Sequence, residues 1–490
     1  MLSWFRLPAG NDGIVIVLVV FYVIILATTI FTIISDKRDP VKALSWIAVI
    51  VLLPVLGFLL YIVFGQNYRK RKIFNKKGIL RNQQIEGIIA KQLYAVNSPL
   101  VCNRDEILVN RDTITLLLNN NESPITYNNK VTILNDGEET FSSIIEALRN
   151  AESSIHFEYY IIQDDVLGNQ IADILIERAG KGVEVRVIYD DVGSWSLPKN
   201  YIRRLKSAGV KVEAFMPVVF PFFTSKINYR NHRKIVVVDG KIGFTGGLNI
   251  ADRYLMGTKK LGAWRDTHLR LEGKGVQSLQ AVFITDWYFV NGEKLNHPRY
   301  FPRHNVNDQV AVQIAASGPD SDWASIMQAY FSAITKAKSH IYISSPYFLP
   351  NESILTAIKV ASLSGVDVKL MIPYHSDSKV VYWATRSYVT ELLEAGVKVY
   401  MYRSGFNHSK LLMIDGVFSS VGSANMDIRS FEDNFEVSAM IYDEGKTSEL
   451  EENFKNDLQN AVLVRGYWWR NRPKLHCFYE ALSRLLSPLL

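Results

Sequence analysis

Two histidine–lysine pairs are the residues of this chain best suited to chemistry. His232 and Lys234 are followed by Asp239, and His408 and Lys410 by Asp415, so one pattern, His-x-Lys-x4-Asp, occurs twice. An imidazole near neutral pKa can attack or carry a proton. An ammonium two residues away can neutralise an anion. The runs KIVVVD and KLLMID are strand-like, and positions i and i+2 share a strand face about 6–7 Å apart. Each His and Lys is therefore expected to point into one pocket. Each Asp is an odd number of residues from both and precedes Gly240 or Gly416, a hairpin-turn signal. Asp239 and Asp415 are counted with the catalytic set as members of the motif, supporting its structure rather than carrying protons; the plainer reading of each is a turn residue.

A second strand follows each turn, KIGFTGGLN and VFSSVGSAN, whose small residues permit close approach of backbone and substrate. Asn249 and Asn425 come next, where an amide can donate to a phosphate oxygen. Asp266, in WRD, and Glu436, in NFE, are carboxylates suited to stand behind a histidine, fix its tautomer and stabilise the imidazolium. The plainer reading of both is an ordinary surface or ion-paired acid. The other histidines, His156, His268, His297, His304, His340, His375 and His476, have no Lys two residues on and read as structural.

The elements that must position these residues repeat as well. AESSIHF (151–157) matches AKSHIYI (337–343), and KGVEVRVIYDD (181–191) matches SGVDVKLMIPY (364–374). LKSAGVKVEAF (205–215) matches LLEAGVKVYMY (392–402), and NHRKIVVVDG (231–240) matches NHSKLLMIDG (407–416). The order is the same in both copies, which marks a duplicated domain. In the first, IHFEYYII, VEVRVIYD and KVEAF read as strands, and NQIADILIERAG and YIRRLKSAG as helices. That alternation implies α/β sandwiches with mixed sheets. The expected division is 1–66, a membrane hairpin; 67–130, a basic juxtamembrane connector with some helix; 131–300, the first domain; and 301–490, the second with a C-terminal amphipathic segment. The boundary falls in 291–308, with Pro298 and Pro302.

The hairpin rests on two uncharged runs, 13–34 and 44–64, each about the length that spans a bilayer core. Pro54 and Gly57 interrupt the second, which spanning helices tolerate. Arg69, Lys70, Arg71, Lys72, Lys76 and Lys77 follow it, so the positive-inside rule places that end, and the catalytic domains, in the cytoplasm of a multi-pass inner-membrane protein. The same cluster suits anionic head groups. A net charge of +7 fits an anionic partner, lipid surface or nucleic acid. Two cysteines far apart, Cys102 and Cys477, exclude a disulfide framework and fit a reducing compartment. There is no zinc-type ligand spacing and no Gly-rich nucleotide loop.

Paired HxKxxxxD motifs, each trailed by GGLN or GSAN, resemble the phospholipase D superfamily. SWIAVIVLLPVLGFLLYIVFG, SGPDSDW (317–323), SSPYFLP (344–350) and RLLSPLL are similar to segments of bacterial cardiolipin synthases. The resemblance covers nearly the whole chain and is weakest at 73–125. It implies two αβα sandwich domains that meet at one active site. It also implies that two phosphatidylglycerols are joined into cardiolipin with release of glycerol, His232 being the nucleophile and His408 the acid/base. The substrates are then membrane phospholipids, no nucleic acid is involved, and neither metal nor cofactor is required. A head-group hydrolase and a nuclease on the same scaffold share these catalytic residues. MPVVFPFF (216–223) and 467–490, where Trp468, Trp469 and Phe478 mix with Arg470, Arg472, Lys474 and Arg484, suit an interface with lipid.

Overall fold

The structure, a computed structural model, describes residues 12–35, 40–61, 83–98, 104–218, 229–485 and 487. The basic run at 69–77, most of MPVVFPFF and Cys102 lie outside the described residues. The chain forms two units: Met1–Ile73 with Val219–Ile227, and Phe74–Val218 with Asn228–Leu490.

In the first unit, helix α1 (Asp12–Ser35) is followed by α2 (Pro40–Leu52) and α3 (Pro54–Leu60). Ile33, Trp46, Ile50 and Tyr61 form its small core, with the Trp46 and Tyr61 rings edge to face at 5.6 Å. Pro54 breaks the second uncharged run into two short helices, as a ring without an N–H must. Among the described residues no helix is long and apolar enough to cross a membrane, so the spanning hairpin expected from the sequence is not shown here.

The larger unit is built on one mixed sheet. The first half supplies β1 (Ile125–Asp136), β2 (Ser154–Tyr159), β3 (Glu184–Asp190), β4 (Lys211–Phe215), β5 (Ile235–Val238), β6 (Ile242–Gly246) and β7 (Trp264–Gly273). The second supplies β8 (Val310–Ser317), β9 (His340–Ser344), β11 (Asp367–Pro373), β12 (Lys398–Tyr402), β13 (Phe406–Asn407), β14 (Leu411–Ile414), β15 (Phe418–Gly422), β17 (Glu436–Tyr442) and β18 (Ala461–Leu463), while β10 (Phe348–Leu349) and β16 (Met426–Asp427) pair only with each other, in a small parallel sheet apart. The first half runs β1-β7-β6-β5-β2-β3-β4 and the second β8-β17-β15-β14-β9-β11-β12, with β18 at its edge. Element by element the order is the same, which confirms the duplication.

The strands and helices expected at 154–215 are all present; the two inner strands β2 and β3 are buried on both faces, while β4, at the edge of the sheet, exposes Lys211. The side chain of Asp165 starts the helix Val166–Gly180 by accepting from the Gly168 N–H at 2.9 Å.

One feature differs from the expectation. The halves are not separate sandwiches: β1 pairs antiparallel with β8, so a single sheet runs through both. The stretch read as a connector with some helix holds the helices Gln83–Asn97, Asp105–Val109 and Arg111–Asn121. Their Ile107, Ile114, Leu117 and Leu118 enter the core of the second half beside Ile326 and Tyr330. Asn and Thr scattered through 110–121 hide that periodicity.

Candidate active site

The two motifs stand at equivalent places. His232 and Lys234 lie in the extended segment just ahead of β5, His408 and Lys410 in the one just ahead of β14, and not within the strands themselves. The segment of each half is stitched to the other. The His232 N–H donates to the Phe435 carbonyl at 2.9 Å, and the His408 N–H to the Arg265 carbonyl at 2.7 Å. The residues after those carbonyls are Glu436 and Asp266.

The carboxylates therefore cross over. Nδ1 of His232 lies 3.0 Å from both oxygens of Glu436, from the second half. Nδ1 of His408 lies 2.7 Å from Oδ2 of Asp266, from the first. Both acids are fully buried. Burial alone would raise Glu436, but the charges of His232 and Lys234 outweigh it and hold it below the ordinary carboxylate range. Asp266 is held low against burial by Lys410 and His408. Burial lowers both imidazoles, His232 and His408 each to about 4. Nε2 of each ring is thus left free of the carboxylate.

Lys234 and Lys410 are buried, and burial lowers both ammoniums. Each Nζ folds back on the carbonyl of its own histidine, at 2.6 Å and 2.5 Å. Lys410 Nζ also lies 3.0 Å from His408 Nδ1. An arriving phosphodiester adds negative charge beside the imidazoles and so favours a proton on one of them.

Both histidines line one cavity of about 580 Å³. Asn249 and Asn425 line it too, as expected. The Asn249 amide donates to Tyr254 Oη at 2.8 Å and accepts from the Ile161 N–H at 3.2 Å, while Oδ1 of Asn425 has no partner. The walls differ. Around His408 stand the rings of Phe406, Trp264, Tyr254 and Tyr347, at 5.7–6.4 Å, with Asp377 bonded to Tyr347 Oη at 2.7 Å. Beside His232 stands Tyr160, at 5.0 Å, with Arg230 and Arg429 also on the wall.

Asp239 and Asp415 are not on that wall. They occupy the far ends of β5 and β14, where their carboxylates accept backbone N–H groups: Glu152, Ser153 and Ser154 for Asp239, and Lys338, Ser339 and His340 for Asp415, at 2.7–2.9 Å. Both have φ +53°, followed by a positive-φ glycine, the two-residue turn expected of Asp-Gly. Each is a strand's length from the histidines and spends its oxygens on the backbone, anchoring its motif rather than lining the cavity.

Several contributors escaped the sequence reading. Ser423 Oγ and Asn434 Nδ2 donate to Glu436 at 2.5 and 3.2 Å. In the first half Gly247 stands where Ser423 does, and a methyl there would run into both oxygens of Asp266. Asn231 and Asn407 brace the motif loops by accepting from the Arg233 and Ser409 N–H groups at 3.1 and 3.0 Å. The repeated NH of NHRK and NHSK was the signal for them.

The family described as cardiolipin synthase, PLD-like domain, matches residues 144–287 and 330–458. The chain belongs to this family. A phospholipase D-nuclease N-terminal family also matches residues 15–66. Among curated members of the cardiolipin synthase group, the protein named cardiolipin synthase from Geobacillus sp. (strain WCH70) is 45% identical over 94% of this chain and 91% of its own length. The one from Alkalihalophilus pseudofirmus is 45% identical over 93% of this chain and 90% of its own. A solved phosphatidylserine synthase from Haemophilus influenzae shares the fold, with TM-score 0.61 and 14% identity, over 78% of this chain and 100% of that one.

Proposed function

We propose that this protein transfers a phosphatidyl group from one phosphatidylglycerol to another, forming cardiolipin and releasing glycerol. The observation that carries the reading is the pair of histidines on one cavity wall, each backed by a carboxylate of the opposite half. Nε2 of His232 attacks phosphorus as His408 protonates the departing glycerol oxygen, and the phosphorus–oxygen bond breaks. His408, now neutral, takes the proton of the second lipid's hydroxyl as its oxygen displaces His232. Lys234 and Lys410 offset the charge on the phosphoryl oxygens, and Glu436 stabilises the phosphoimidazolium. The surroundings are alike on this point, since burial and lysine lower each imidazole while its own carboxylate, Glu436 or Asp266, raises it, so the division of roles between His232 and His408 follows the family resemblance. Curated relatives bearing the name cardiolipin synthase over most of the chain support the reading.

The uncharged runs at 13–34 and 44–64, within the matched N-terminal segment, support a membrane hairpin with the catalytic unit on the cytoplasmic side. Beyond the second half, the helix Lys474–Leu485 leaves Leu475, Phe478, Leu482 and Leu485 exposed, beside exposed Tyr467 and Trp468. That apolar stripe among basic residues suits a lipid surface.

The test is incubation of the purified full chain with phosphatidylglycerol vesicles, without nucleotide or metal. Cardiolipin and glycerol in equal amounts are expected, and their loss in His232→Ala and in His408→Ala. Phosphatidic acid as the main product would make the protein a head-group hydrolase instead.

A further inference from the structure

Arg253 and Arg429 hold the same place in the two halves. Each lies four residues beyond the repeat asparagine, Asn249 or Asn425, in a short helix, Arg253–Met256 or Ile428–Glu432. Both line the catalytic cavity and both are half-buried. Among the described residues neither makes an ion pair with a carboxylate. A sheltered guanidinium without a counter-ion, on the wall of a site for phosphodiesters, calls for an anion.

The two serve different flanks. The Arg253 guanidinium lies 5.1 Å over the Tyr254 ring and donates to Tyr254 Oη at 3.3 Å. Its Nε is closed to water and has no partner. The Tyr254 ring is 6.1 Å from that of His408, so Arg253 sits one aromatic ring beyond the acid/base. Lys260, farther along the same segment, reaches the cavity from an exposed position. Arg429 instead acts on Tyr160, the ring beside His232.

In an accepting phosphatidylglycerol, only the glycerol carbons separate the attacking hydroxyl from that lipid's own phosphate. With the hydroxyl at His408, this second phosphate falls about one ring beyond it. Asp377, on the same flank, would repel an anion that had no cation of its own. We propose that Arg253, with Lys260 at the rim, binds the non-reacting phosphate of the acceptor lipid and so makes the site choose a phospholipid alcohol over free glycerol or water. This rests on the transfer reaction proposed above.

The test compares two reactions of the full chain in phosphatidylglycerol vesicles: cardiolipin formation, and incorporation of labelled free glycerol into phosphatidylglycerol. Both pass through the same phosphatidyl-enzyme, but only the first has an acceptor phosphate. In Arg253→Gln the ratio of cardiolipin to glycerol incorporation should fall about ten- to hundredfold, the value of a lost charge-assisted hydrogen bond. Arg253→Lys should restore most of it, and Arg429→Gln should lower both reactions together. An unchanged ratio in Arg253→Gln overturns the proposal, whether both reactions fall or neither does. A wild-type chain that catalyses neither reaction would instead defeat the functional reading itself.

Discussion

Oδ2 of Asp266, in the first half, meets Nδ1 of His408, in the second, at 2.7 Å, and Glu436 returns the arrangement to His232 at 3.0 Å. Each histidine thus meets a carboxylate from the other half, so both halves are needed to complete these two pairs.

Glu436→Gln and Asp266→Asn should each lower kcat by about a thousandfold or more, because an amide permits the wrong tautomer and cannot stabilise an imidazolium. The thermal midpoint should change little by comparison. Rates of cardiolipin formation check this, and a loss under threefold would remove the positioning role.

Asp239→Ala and Asp415→Ala should act on stability. Each strips acceptors from three backbone N–H groups, at a cost of about 1–3 kcal/mol. Asn in either place tolerates the positive φ and should restore part of it. Chemical denaturation with kcat measured on the folded fraction is the check. A large kcat defect at unchanged stability would return these residues to the chemistry.

Gly247→Ala should displace the Asp266 carboxylate and lower kcat, since the added methyl meets both its oxygens. Ser423→Ala, at the equivalent position, removes only a hydrogen bond to Glu436 and should cost less. Reversal of that order in side-by-side kinetics would contradict the packing described.

Four histidines are held below 6.5 chiefly by burial: His156 and His268 to about 3, His232 and His408 to about 4. The unfolded chain then binds more protons than the folded one between 6.5 and those values. Their stabilisation is complete above 6.5 and is lost as pH falls through that window, at up to about 1.4 kcal/mol per pH unit for each. Asp427, raised to about 6 by burial, works the opposite way, so the comparison is made by variant. His268→Gln should reduce the loss of stability between pH 6.5 and 5. Identical slopes for variant and wild type would contradict it.

Much of this was legible in the sequence because it is written twice. NHRK and NHSK, GGLN and GSAN, and the strand runs between them gave the motif, the fold class and the ten candidate residues. What each acid serves was not legible: Asp266 and Glu436 could be picked out, but which histidine each meets depends on chain segments that cross the junction of the halves. The β1–β8 pairing that fuses the sheets leaves no local pattern either, since an edge strand and a central strand share one alternation. The helices at 83–121 were obscured by polar residues on their outer faces. Arg253 and Arg429 were accessible in principle, four residues after each repeat asparagine, but a lone arginine carries no signal until the cavity is seen.

The most direct measurement follows turnover of phosphatidylglycerol labelled with 32P, stopped by alkaline denaturation and mapped by peptide. Label on the peptide that contains His232 during steady cardiolipin formation, and none in His232→Ala, is the expected result. Cardiolipin formed at full rate with label on neither His232 nor His408 would contradict the double-displacement mechanism.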